Sequence, residues 1–492
     1  MFACKLLPVS RLSVAVSDAY TISAPTLLAT SEMFKSEAKA SAVLSAALVL
    51  PLAFVALFPT RVVAMSGDQS SQEAPPEVEA AGLLREAARQ LGAGQLDEAE
   101  PLVRRALAAS PRNADAHNLL GIVLDQRGRA VEAESEYRAA LRLKPDSISA
   151  RANLGVLLAR TRRSDEAIET FESVLKLAPD HPQATINLGL LYSSRGDFQR
   201  AAVLLARANE LQPHTFDILQ HLGVALYNVK RPDEAARILE AASSLSPSAA
   251  EPFYFLGLIA STRGQDEAAE ELWEKAVNLR PKYPEANFML GELLQKKQRV
   301  ELARQYYERA MQQDPSRPVY YARLGGAYIL LAQFERALEV FQQAEQRFPE
   351  DPDMHYFVAL AARGKADYEL AQSALRKTLS RQPDHVDALA LLGGIISDRG
   401  DAITAEKLLR RALALDGNHF NANHDLGLLL VRARRYDQAL PILQRAAAVR
   451  ESDADVHYQL FLTLSRLKRI SDAQRELATY KRLTEEQKSK SK

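Results

Sequence analysis

The sequence predicts an all-α fold: a solenoid of helix pairs built on a 34-residue repeat. Three markers carry the prediction. A glycine behind an apolar residue falls at Gly121, Gly155, Gly189, Gly223, Gly257, Gly291, Gly325, Gly393 and Gly427, with Ala359 in the one gap. An alanine follows twelve residues later in every unit, from Ala99 and Ala133 through Ala269 to Ala473. A proline follows after another twelve, from Pro111 to Pro383, and the last three units place Gly417, Glu451 and Glu485 there. Extended outward to Ala87 and Phe461, the frame holds twelve units, from 80–113 to 454–487.

Each marker has a physical reason. Two helical stretches in a unit flank a short break such as Arg127-Gly128 or Arg195-Gly196. Small residues at the glycine and alanine markers let the two helices cross closely. The residue four after the alanine (Tyr137, Phe171, Trp273, Tyr307 or Phe341) fills the space between them, so Trp273 is read as core. Proline cannot continue a helix and sets the exit of the second one.

Composition narrows the function. Apolar residues make up 47% and charged residues 25%, as in an ordinary folded protein. Lysine plus arginine equals aspartate plus glutamate, 62 each, which argues against a nucleic-acid binder working through a broad basic field. Cys4 is the only cysteine, so neither an internal disulfide nor a cysteine-rich zinc site can form.

The first eighty residues read differently. Residues 1–39 are expected to be a disordered leader. Residues 40–58 (ASAVLSAALVLPLAFVALF) carry no charge and as a helix would span about 28 Å, close to a bilayer core. Lys35 and Lys39 precede them and Arg61 follows, which favours export of the remainder. Two readings stand: the core of a signal peptide cut near Val62-Val63-Ala64, or an uncleaved membrane anchor. Met33 is an alternative start to Met1. Residues 59–79 read as a flexible linker and 488–492 as a polar tail.

The period, the Leu-Gly step, the Ala-x3-aromatic step and the closing proline resemble the tetratricopeptide repeat over 80–487. That resemblance implies antiparallel helix pairs stacked in a right-handed superhelix, with partners held in a concave inner groove. Glu86 in the first unit and the polar end TYKRLTEEQKSKSK read as caps where the stack meets water.

Let the glycine marker be position 8 of each unit. Positions 4, 7, 8 and 11 then share one stripe of the first helix and are expected in the core. Positions 2, 5, 9, 12 and 13 share the opposite stripe, which the resemblance makes the groove. Its candidate partner-binding residues are Asn118, Gln220, Tyr254, Phe288, Tyr356, His424 and Tyr458 at position 5 and Tyr227 at position 12. Position 2 is acidic in seven units, including Asp115, Asp217, Glu285, Asp353 and Asp387; this reads either as an acidic rail for a basic partner or, more plainly, as helix-start electrostatics without a ligand. Asn153 and Asn187 at position 6 are similar to the asparagine ladder of some long arrays, but His221 ends the run.

No chemistry stands out. The nine histidines fall at positions 4, 5 and 6 or between units, with no metal-ligand spacing. There is no phosphate-cradling loop, nucleophile elbow or dinucleotide fingerprint. The expectation is a non-enzymatic scaffold without cofactor or metal, exported to the periplasm or anchored in the inner membrane, that binds proteins or peptides in cell-envelope assembly. The alternative is a substrate-presenting accessory subunit of a glycosyltransferase or other enzyme.

Overall fold

A computed structural model describes residues 76–490 of the 492. The leader expected over 1–39 and the apolar segment expected over 40–58 lie outside the described residues. Among those described, no helix is long and apolar enough to cross a membrane.

The described residues form twenty-four helices and no strand. The first helices of the units are Pro76–Gly92, Ala114–Gln126, Ile148–Arg160, Pro182–Ser194, Phe216–Asn228, Ala250–Thr262, Pro284–Lys296, Pro318–Leu330, Pro352–Gly364, Val386–Asp398, Phe420–Arg432 and Ala454–Arg466. The second helices are Leu96–Ala109, Ala130–Leu143, Ser164–Leu177, Phe198–Leu211, Pro232–Leu245, Asp266–Leu279, Val300–Gln313, Phe334–Arg347, Tyr368–Arg381, Ala402–Leu415, Tyr436–Val449 and Ile470–Lys490. The end helices overrun the 80–487 frame. Pro76–Glu79, expected in the linker, are helical, because proline suits a first helical turn and Glu77 and Glu79 suit its dipole.

The described chain divides into two compact bodies, one ending at Leu279 and the other starting at Arg280. Within each, a first helix packs on its own second helix, and second helices pack on the first helix that follows. The α-solenoid class is thus present as successive packed pairs.

The markers occupy the crossings. The twelve alanines from Ala99 to Ala439 and Ala473 are all buried. A methyl added to Gly121 would lie 2.6 Å from the Tyr137 ring, and one added to Gly155 would lie 2.8 Å from that of Phe171. Glycine at position 8 therefore makes room for the bulky side chain at position 24. In unit nine these two positions hold Ala359 and Leu375, and both are fully buried.

The core stripe differs from expectation at one position. Positions 7, 8 and 11 are core, and so is position 4 at Leu219, Phe253 and Leu389, but in other units position 4 carries a polar clamp. His117 and His457 bond the carbonyls of Pro111 and Glu451 in the preceding loops, and Asn423 Nδ2 donates to Gly417 O at 2.9 Å. Further apolar contact comes from position 3: Ala116, Ala150, Ala184, Ala286, Tyr320, Ala388, Ala422 and Val456 are fully buried. Helix periodicity alone could not choose between neighbouring positions at the edge of a wide apolar face.

The break between helices has one geometry throughout. Position 15 has positive φ in every unit: glycine at Gly94, Gly128, Gly196, Gly264 and Gly400, and other residues at Arg162, Lys230, Gln298, Ala332, Ala366, Arg434 and Lys468. The following amide closes the turn, as in Arg129 N to Leu124 O at 2.9 Å and Arg231 N to Leu226 O at 2.9 Å. This is a left-handed helix stop of the Schellman kind.

Second helices often start on arginine, a poor cap. Arg129 and Arg163 instead reach three residues on to Glu132 and Glu166 (both 2.6 Å) and back to Glu100 (3.0 Å) and Glu134 (2.6 Å) of the preceding unit. Arg127, Arg195 and Arg263 likewise pair with Asp97, Asp165 and Asp233 one unit back. Bridges of this kind recur along both bodies.

Candidate functional site

The stripe at positions 2, 5, 9, 12 and 13 is built by the first helices, whose regular spacing brings equivalent residues of successive units together. Its character changes along the chain. In units three to five the apolar members are half-exposed: Val156, Ile186, Leu190, Val224 and Tyr227. In units six to eleven the candidate rings are buried: Tyr254 is 2% exposed, Phe288 7%, Tyr356 5% and His424 4%.

Packing within units, and between them at Phe288, closes those rings. Tyr254 meets Phe255 edge-on at 5.2 Å, and its carbonyl accepts from Trp273 Nε1 at 3.1 Å. Phe288 lies 5.1 Å from Tyr320, and Tyr356 lies 5.9 Å from Phe357 and 5.0 Å from the His385 ring. His424 stacks on Phe420 at 5.9 Å and bonds Asp425 through Nδ1 at 2.9 Å. Its buried Nε2 has no hydrogen-bond partner among the described residues. Tyr458, in the last unit, is exposed beside Tyr480.

The polar candidates link neighbours. Asn153 Nδ2 donates to Asn118 Oδ1 at 3.0 Å, and Gln220 Nε2 donates to Glu251 Oε2 at 3.0 Å. Asn187 turns to its own helix, donating to Gln183 O at 2.8 Å, so the asparagine contact does not extend into unit four. Tyr227 packs edge-on against Phe255 at 5.7 Å.

The half-exposed section is low in free charge. Arg160 of unit three is paired with Asp125 of unit two. Burial pushes His221 down to about 4, so its ring is neutral near pH 7. Burial also pushes the Asp217 carboxyl up. The surface offers aliphatic side chains, one tyrosine ring and amides, which suits an extended segment read by contact and hydrogen bonds.

Elsewhere, charged stripe residues are already engaged. Glu292 at position 9 accepts from Tyr307 Oη at 2.6 Å and from Arg323 Nε at 2.7 Å, Arg323 being at position 6 of the next unit. Gly394, also at position 9, leaves room for the Asp425 carboxylate, which a methyl group there would meet at 2.6 Å. Sequence periodicity treats positions 6 and 9 as separate; in the stack they are neighbours across units.

Three histidines read from the sequence as loop residues have a defined place. His181, His385 and His419 stand at position 34 and cap the next helix, Nδ1 accepting from the amides of Ala184 (3.2 Å), Ala388 (3.3 Å) and Ala422 (3.1 Å). Their recurrence at one position, shared with Asn113, Ser147 and Asp453, was the available signal.

Comparison with known proteins agrees with the repeat. One tetratricopeptide repeat model matches residues 84–148, 256–318 and 358–420, and another matches 126–186, 192–254, 298–361 and 397–458. A comparison with curated proteins finds no match. Among solved structures, the Cut9–Hcn1 hetero-tetramer of the APC/C is similar at 14% identity and TM-score 0.43, covering 83% of this chain and 95% of that one. YrrB, described as a TPR protein with an unusual peptide-binding site, is similar at 23% identity and TM-score 0.36, over 40% of this chain and 97% of that one. Yeast Tom70 is similar at 15% identity and TM-score 0.35, over 81% and 96%. With repeat matches from residue 84 to 458 and helix pairs on the same period, the chain belongs to the tetratricopeptide repeat family.

Proposed function

We propose that this protein is a non-enzymatic scaffold that holds an extended segment of a partner protein on the stripe of units three to five, in the service of cell-envelope assembly. Membership of the family supports protein or peptide binding in general. The observation that carries the finer reading is the contrast in exposure. Val156, Leu190 and Val224 at position 9 are half-exposed on successive units, with Ile186 half-exposed beside them, whereas Leu258 and Leu360 at the same position 9 in units six and nine are buried. The uncharged run 40–58, with basic residues before it, supports export with the repeats outside the cytoplasm, the run serving as signal core or anchor.

The test is photo-crosslinking in native membranes, with the crosslinker placed at Ile186 or Val224 in one preparation and at exposed Val203 on a second helix in another. A partner captured only from the stripe, and lost in the double variant Ile186→Glu, Leu190→Glu while helicity is kept, is the expected result. Equal capture from Val203 overturns the placement. Envelope proteins among the captured partners support the cellular role. A glycosyltransferase captured in stable complex supports the accessory-subunit reading instead.

A further inference from the structure

We propose that His385 and His419 are proton-operated fasteners, which hold the first helices of units ten and eleven when neutral and release them when charged. The argument is about which nitrogen carries a proton. In each ring Nδ1 faces a backbone amide: Ala388 N at 3.3 Å for His385 and Ala422 N at 3.1 Å for His419. An amide can only donate, so Nδ1 must be bare. The other nitrogen, Nε2, faces a carboxylate: Asp353 Oδ1 at 3.1 Å and Asp387 Oδ1 at 3.0 Å. An ionised carboxylate can only accept, so Nε2 must carry hydrogen. Both bonds are complete in one form alone, the neutral Nε2–H tautomer.

A second proton has a single place to go. It lands on Nδ1 and sets N–H against N–H at the start of a helix, where the partial positive charge of the helix terminus adds to the repulsion. The Nε2 bond meanwhile becomes an ion pair. The ring therefore stays on its aspartate, and the first turn beginning at Val386 or Phe420 loses its cap.

The surroundings favour this division. Burial pushes the Asp387 carboxyl up, but the bond from His419 and the charges of His419 and His385 outweigh it and hold Asp387 low. It is thus a carboxylate throughout the range in which histidines titrate. His385 also faces the Tyr356 ring, and its loop neighbour Asp384 is tied to Arg411 at 2.8 Å. Asp351, beside Asp353, is pushed up by burial. In the loop before His419, Asp416 is occupied by the Asn418 amide at 3.0 Å.

The same chain contains the opposite arrangement. His117 Nδ1 meets Glu136 at 2.6 Å and its Nε2 meets Pro111 O at 3.2 Å; His457 meets Glu476 at 2.6 Å and Glu451 O at 3.0 Å. All four partners are acceptors, so these bond sets are complete only when both ring nitrogens carry hydrogen. Acid thus loosens the helix starts of units ten and eleven and completes the clamps of units two and twelve. This device goes beyond the scaffold reading and does not depend on it.

The experiment uses the full chain with 15N-labelled histidine rings, followed from about pH 8 to about pH 5. At the upper end His385 and His419 are expected as Nε2–H tautomers. Amide exchange at Ala388 and Ala422, corrected for intrinsic rates, is expected to speed up about fivefold towards the lower end. Ala116 and Val456, capped by Asn113 and Asp453, are expected to keep their protection. The variants His385→Asn and His419→Asn, with a cap that does not titrate, should keep Ala388 and Ala422 protected at both ends. An Nδ1–H ring at the upper end overturns the proposal, as does unchanged exchange at Ala388 and Ala422, or pH dependence that persists in the asparagine variants. The wild-type ring spectra decide alone if a variant does not fold.

Discussion

Trp273 Nε1 donates to the carbonyl of Tyr254 at 3.1 Å while the same indole fills the space left open by Gly257. One side chain thus ties its own unit's two helices by a polar bond and by packing. Trp273→Phe should cost about 1–3 kcal/mol through the lost bond and the smaller ring. Gly257→Ala should cost about as much by driving a methyl group into the indole, as should Ala269→Leu at the fully buried alanine of the same unit. Denaturant midpoints of the three variants check this, and an unchanged midpoint for Ala269→Leu would contradict the packing described.

The left-handed stop at position 15 predicts stabilising changes. Lys230 and Ala366 hold φ of 64° and 61°, a conformation that glycine adopts without steric penalty. Lys230→Gly and Ala366→Gly should each raise stability by about 1 kcal/mol, and Gly264→Ala should lower it by a similar amount. Thermal melts of the three variants give the signs directly.

Glu100 sits among Arg104 (2.7 Å), Arg129 (3.0 Å) and Arg127 (3.2 Å) and is 8% exposed. Burial pushes its carboxyl up, but the bond from Arg104 and the charges of Arg104, Arg129 and Arg127 outweigh it, so the folded-state value lies below the usual one. The stability it contributes is present above the unfolded carboxylate range and lost as pH falls through the folded-state value. Glu100→Gln should therefore cost about 1–3 kcal/mol near pH 7 and progressively less below pH ~4. Asp97→Asn, on an exposed carboxylate, should stay within about 0.5 kcal/mol.

Glu285 has the opposite sign. Burial raises its carboxyl, against the lowering effects of a backbone bond and of Arg280 and Arg317. A group raised in the folded state contributes most below its unfolded value and loses that contribution as pH rises through the folded one. Glu285→Gln should therefore stabilise the chain at pH ~7 and make little difference at pH ~4. Unfolding curves at the two pH values check the difference.

Much of the fold is legible because its constraints are local and repeated. Gly121 needs Tyr137, Gly155 needs Phe171, and the chain states that need again every unit. The stop at position 15 is legible only where it is glycine, as at Gly128; Lys230 or Arg434 in the same geometry carries no local sign. The candidate stripe is harder to read. Position 5 is aromatic in Tyr254 and in Tyr356, but whether such a ring meets solvent depends on what packs against it in the folded stack. Phe255 and Phe357 cover these two, while Ile186 remains half-exposed. The histidine caps were missed because a loop position in one unit is a helix start in the next.

The arginine bridges have a mechanical consequence. Outside their own units, Arg129 and Arg163 each fasten only to the unit immediately before. Tension along the chain is therefore carried in series, and no bridge of this kind shares load across several units. Pulled from its ends, the protein should yield one junction at a time, giving a staircase of small rupture events in place of a single collapse, with the least-bridged junction going first.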